Sequence, residues 1–144
     1  MKKIIAIIVF VASYGISQAQ INMPKVDVNS ATSALTNFVK PPAIGDIGST
    51  TSGVVDMLTS KLGLPASQKT DLTSAISGFL GQKKGILALA NTDPAGYLAK
   101  FNPLQQGLFG KLKGIMGASA FTKMMGLKPS GSNIAGNALS HLFF

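Results

Sequence analysis

The chain opens on an unbroken apolar run, and beyond it short amphipathic stretches alternate with breaks rich in glycine and proline. In MKKIIAIIVFVASYGISQAQ, Ile4 to Ala12 form a hydrophobic segment behind Lys2 and Lys3. Ser17 and Ala19 place small residues third and first before a cut ahead of Gln20, which predicts a removable secretory signal peptide over 1–19. The run is short for a bilayer span, and the alternatives are an uncleaved anchor or a buried N-terminal helix.

Residues 20–49 read as an extended leader containing Pro24, a short helix and a linker. The helix lies within 30–40, carries Ala34, Leu35, Phe38 and Val39, and ends at Pro41-Pro42, which lack backbone donors and restrict the residues before them. The GDIGSTTSG stretch that follows is read as linker.

A helical domain is expected over 50–128. Val54, Val55, Leu58 and Leu62 recur at spacings of three and four, the rhythm of one helical face, and Gly63 and Pro65 stop it. From Ser67 to Leu80 a second stripe contains Leu72, Ala75, Ile76, Phe79 and Leu80; Ser67 or Thr70 caps its start, Asp71 suits the dipole, and Gly81 ends it. GILALA at 85–90 reads as a helical turn or two, or else a short strand. Asp93-Pro94 is a start signal for a helix lined by Tyr97, Leu98 and Phe101. Asn102-Pro103 repeats that signal and opens a further helix, on which Leu104, Leu108, Phe109, Leu112, Ile115 and Met116 span an arc of about 140°. Gly107, Gly110, Gly114 and Gly117 fall on its opposite side, where each lowers helix stability by up to about 1 kcal/mol relative to alanine. A backbone approaching that face, or ordering on docking, would account for them. Phe121, Met124, Met125 and Leu127 predict a last short helix. Residues 129–144 read as a flexible segment with an apolar C-terminal tail, whose Phe143 and Phe144 pin it to the core, cover a partner or join a lipid-facing patch. The fold expected is all-α, a small irregular bundle of about five short helices.

Composition narrows the setting. There is no cysteine, which removes disulfides, thiolate chemistry and a lipid-modified cysteine. Thirteen cations, all lysine, face five acids for a net charge of +8, and loss of Lys2 and Lys3 lowers this by two. Such a balance favours anionic surfaces through a diffuse field. Without arginine the chain lacks the fork that reads phosphates and guanine edges bidentately, so no specific nucleic-acid partner is expected.

Local chemistry is sparse. Asp27, Asp46, Asp56, Asp71 and Asp93 form no pair at helical spacing, and Asp71 and Asp93 read as helix-start residues. His141, the single histidine, lacks the companions of a zinc site or a catalytic triad. GDIGSTTSG lacks the lysine-hydroxyl pair of a phosphate loop, and no serine stands in a nucleophile motif. No catalytic, cofactor-binding or metal-binding residue is therefore assigned, and no cofactor is expected. The candidate contact surface is instead GLFGKLKGIMG at 107–117, continued by ASAFTKMMGLK. It is similar to cationic amphipathic peptides that lie in the bilayer interface, although an ordinary core-facing helix rimmed by lysine gives the same pattern. The residues assigned to contact with lipid or a partner are Leu108, Phe109, Lys111, Leu112, Lys113, Met116, Phe143 and Phe144.

The segment ending in SQAQ resembles export signals common in the Bacteroidetes. The stretch from Leu58 to Leu127, with LTSKLGL, LTSAISGFLG and FGKLKGIMG, is similar to small exported helical bacterial proteins of the uncharacterised VcgC/VcgE type. That resemblance covers just over half of the chain, implies a periplasmic or secreted address, and carries no catalytic residue. The function expected is that of an exported non-enzymatic protein, envelope-associated or a protein-interaction module. The alternatives are a lipid-binding or membrane-perturbing protein acting through 103–128, and a hydrolase whose site is not visible in sequence.

Overall fold

Asp46 starts the first helix, inside the stretch that reads as linker. In the computed structural model, which describes residues 37–144, its Oδ1 accepts the Ser49 backbone N–H at 2.8 Å and the Ser49 hydroxyl at 3.0 Å. These bonds hold the Asp46 carboxyl below the usual carboxylate range. Helix α1 runs Ile47–Leu62, so the hydroxyl-rich residues behind Asp46 are its first turns and not linker. Their apolar rhythm is interrupted because the inward position is Thr51, buried with its hydroxyl donating to the Ile47 carbonyl at 2.7 Å. Gly63 ends α1 as expected, at φ 64, with its N–H and that of Leu64 both directed to the Thr59 carbonyl. The signal segment, the leader and most of the helix expected over 30–40 lie outside the described residues.

After a 3-10 turn at Ala66–Gln68, helix α2 spans Lys69–Ile86. Neither Ser67 nor Thr70 caps it: the residue before it is Gln68, with no side-chain cap, and the preceding turn supplies a bond from the Gln68 N–H to the Pro65 carbonyl. The helix also passes through Gly81. Burial of Leu80 and Lys83 on either side of that glycine outweighs a penalty of about 1 kcal/mol. GILALA is helical throughout most of its length, divided between the end of α2 and a single turn, α3, at Leu89–Thr92.

Helix α4, Pro94–Gly126, is the longest element. Asp93 caps it as expected, Oδ1 accepting the Gly96 N–H at 3.0 Å, and a Cβ at Gly96 would run into that carboxylate. Asp93→Ala is expected to lower stability by about 1 kcal/mol, as read from a urea titration. The second start at Asn102-Pro103 does not occur. Pro103 is exposed, so the carbonyl it leaves without a donor is open to water, while Phe101 and Leu108 stay in the core on either side. The break comes instead at Gly117, at φ 80 and ψ 164.

Residues 129–144, expected to be a flexible segment with an apolar C-terminal tail, carry that tail back onto the bundle, the outcome in which Phe143 pins it to the core. A 3-10 turn at Gly131–Asn133 leads to α5 at Ser140–Phe143, with Leu139, Ser140, Leu142 and Phe143 buried. Local bonds shape the approach: Asn137 Oδ1 accepts the Leu139 N–H at 2.9 Å, and the Ser140 hydroxyl donates to the Ile134 carbonyl at 2.6 Å. The architecture of the described residues is thus all-α, an irregular bundle of five helices. Its centre is made by α2, which packs against both α1 and α4. Val54, Leu58, Leu72, Ile76, Leu80, Leu112, Met124 and Leu142 are fully buried there. An aromatic row closes one side, with Tyr97 stacked on Phe101 at 5.4 Å and Phe38 edge-on to Tyr97 at 6.1 Å.

Candidate functional site

The candidate contact residues divide by face of α4. Leu108, Leu112 and Met116 point into the core, with relative exposures of 3%, 0% and 7%. Lys111 and Lys113, between them in sequence, are exposed. Phe143 is buried, while Phe109 and Phe144 are half-buried. The structure brings part of the set together: the Phe109 ring lies between Phe143 at 5.6 Å and Phe121 at 5.8 Å, and the Lys128 ammonium stands 5.2 Å from the centre of the Phe144 ring. In the closed bundle Leu108, Leu112 and Met116 of the apolar arc are taken up by packing, Leu104, Phe109 and Ile115 are half-buried, and the charged side chains that this helix presents to the outside are lysines.

The glycine face has a different setting from the one its pattern suggests. No atom lies within 4 Å of a Cβ built at Gly107, Gly110, Gly114 or Gly117, so among the described residues no backbone approaches there. Gly107 and Gly114 line an open groove with Ser74, Ala75 and Gly78 of α2, bordered by Asp71 and Lys111.

A buried polar cluster was not anticipated. The Lys83 side chain is fully buried, and its Nζ donates to the His141 carbonyl at 2.7 Å and to the Phe144 main-chain oxygen. From α4, Gln105 Nε2 donates to the Leu142 carbonyl at 2.8 Å. Side chains from two helices therefore serve the carbonyls that a helix end leaves without intrahelical partners. Burial pushes the Lys83 amine down to about 7, while the Phe101 ring, centred 5.2 Å away, faces its Nζ. Burial, and then the neighbouring Lys83, lower the His141 imidazole. Its Nδ1 is buried with no hydrogen-bond partner, as is the Tyr97 hydroxyl, which burial pushes well above the usual phenol range. The signal for this cluster was present: Lys83 falls seven, four and three residues after Ile76, Phe79 and Leu80, on the apolar stripe of α2. Pairing with Lys84 makes it look like a solvated charge.

Chemistry at the remaining depressions is limited. His141 lines one with Ser49 and Thr50, but both hydroxyls are engaged: Ser49 donates to Asp46 Oδ1, and Thr50 to the Asp46 carbonyl at 2.8 Å. A nucleophile activated by His141 would need its hydroxyl directed to that imidazole, and neither of these is. Among the described residues no three His, Asp or Glu side chains gather as metal ligands, and no helix is long and apolar enough to cross a membrane. Compared with known proteins, the chain matches no family model, no curated protein and no solved structure.

Proposed function

We propose that this chain is an exported, non-enzymatic protein that associates peripherally with anionic surfaces of the cell envelope. The observation that supports the reading is the division of α4, whose apolar arc is taken into the core while Lys111, Lys113 and Lys123 stand exposed. The pattern that resembles a membrane-inserting peptide then serves two separate ends, packing inside and charge outside. The one ion pair among the described residues, Lys69 to Asp56 at 2.8 Å, leaves these lysines free of carboxylate partners. Contact of this kind is electrostatic and weakens with salt.

Flotation of the chain lacking residues 1–19 with vesicles tests this directly. Association with anionic vesicles at low salt is expected, falling at high salt and in the variant carrying Lys111→Gln, Lys113→Gln and Lys123→Gln. No association at low salt overturns the proposal. Binding indifferent to salt and to the three substitutions favours the second reading, insertion of an apolar face exposed by bundle opening, for which the edge position of Phe109, Phe143 and Phe144 is the specific support.

A further inference from the structure

Helix α4 changes direction at one residue. Gly117, at φ 80 and ψ 164, is its single non-helical position, and no other part of the described chain lies within 4 Å of where its Cβ would stand, so nothing packed at the corner holds the bend. Local sequence does not call for it either: Met116, Ala118 and Ala120 are strong helix formers, and the corner contains no proline. In an unbroken helix Phe109 and Phe121 would stand about 18 Å apart along the axis, at a rise of about 1.5 Å per residue. Their rings instead meet edge-on at 5.8 Å. The bend is therefore held from further along the chain, by what residues 118–144 place in the bundle. Met124, Leu139, Leu142 and Phe143 are buried in the core, and Lys83 and Gln105 donate to main-chain oxygens within 141–144.

We propose that Gly117 is a hinge through which two copies of this chain exchange residues 118–144, forming a two-fold symmetric dimer. With Gly117 in helical conformation α4 becomes continuous, and 118–144 swings away from its own bundle. Two complementary surfaces are then uncovered: the seat that includes Lys83, Gln105 and Phe109, and the side chains of Phe121, Met124, Leu142 and Phe143 that filled it. A second copy opened in the same way supplies both, so the contacts of the closed bundle re-form between chains, the Lys83 bonds included whatever charge their acceptor at Phe144 carries. Closed and exchanged forms differ chiefly at the hinge. Opening restores the helical hydrogen bonds that the corner interrupts, which offsets part of the entropy lost on association. Glycine suits both forms, since it accepts the positive φ of one and the helical backbone of the other. The proposal does not depend on the envelope association above.

Alanine at 117 separates exchange from a purely structural turn. It penalises the closed form through its backbone and favours the continuous helix, and each dimer contains two hinges, so Gly117→Ala is expected to strengthen dimerisation by about a hundred-fold or more. Sedimentation of wild type and variant over a range of protein concentration reads that change. The chain has no cysteine, so exchange is identified by unfolding and refolding two variants together, Phe109→Cys and Phe121→Cys, each also carrying Gly117→Ala, and then adding a short bifunctional maleimide. A product joining position 109 of one chain to position 121 of the other is expected, with far less covalent dimer from either variant alone. A Gly117→Ala chain that is less stable yet monomeric overturns the proposal. A dimer that does not give the cross-chain product overturns it as well, because the copies would then meet through another surface. Should Gly117→Ala fail to fold, the same two cysteine variants with Gly117 retained, refolded together at high protein concentration, decide the matter: the cross-chain product supports exchange, and its absence overturns it.

Discussion

Replacing Leu112 by alanine is expected to destabilise the bundle by about 2–5 kcal/mol, whereas Lys111→Ala, one residue away, should change stability by less than about 0.5 kcal/mol. Leu112 is fully buried in the cluster that joins α1, α2 and α4, and removing its branched end leaves a cavity that the neighbouring helices fill only in part. Lys111 reaches into solvent beside the groove between α2 and α4. Chemical denaturation of the two variants, read by circular dichroism, measures both values. The comparison bears on function as well as stability. Were the Leu108–Leu112–Met116 arc a lipid-facing surface in the folded chain, Leu112→Ala would leave the midpoint unchanged and weaken vesicle binding. The packed arrangement gives the opposite outcome, a lower midpoint with salt-dependent binding retained as long as the variant is folded.

The glycines of α4 are expected to separate by sign. Gly107, Gly110 and Gly114 have helical backbone and open space where a Cβ would stand, so replacing all three by alanine should raise stability by about 2–3 kcal/mol, the sum of their propensity deficits. Gly117, also with open space around it, has φ 80 and ψ 164, a conformation reserved almost wholly for glycine. Alanine there should lower stability by about 1–3 kcal/mol through the backbone alone. Denaturation midpoints of the triple variant and of Gly117→Ala, compared with wild type, check the pair. A destabilised triple variant would mean that something outside the described residues occupies the glycine face.

How far the sequence foretells these features depends on the range of the forces behind them. Val54, Leu58, Leu72, Ile76, Leu108 and Leu112 are all found in the core, because a buried helical face leaves its period in the residues themselves. Asp93-Pro94 and Gly63 are equally local, since cap and left-handed turn are made by neighbours in the chain. The misreadings occur where a local penalty meets a distant compensation. Gly81 looks like a stop and Asn102-Pro103 like a second start, yet burial of Lys83 and Phe101 beside them carries both helices through without a break there. Asp46 was passed over for the converse reason: Thr51 stands where an apolar residue would have announced the helix. The hardest feature was the docking of residues 137–144, because its polar partners, Lys83 and Gln105, lie tens of residues upstream and no periodicity links them. Of the candidate contact surface, spacing identified the members of one helix but not which of them the bundle would cover.

That distant docking also constrains the order in which the molecule is completed. The helices α1 to α4 pack on partners close in the chain, so they can associate as soon as each neighbour exists. Leu139, Leu142 and Phe143 enter the same core from far downstream, and the lysine that receives them has no other hydrogen-bond acceptor among the described residues. During synthesis, therefore, the nascent bundle carries an unfilled apolar seat and an unserved buried amine until Phe143 has emerged.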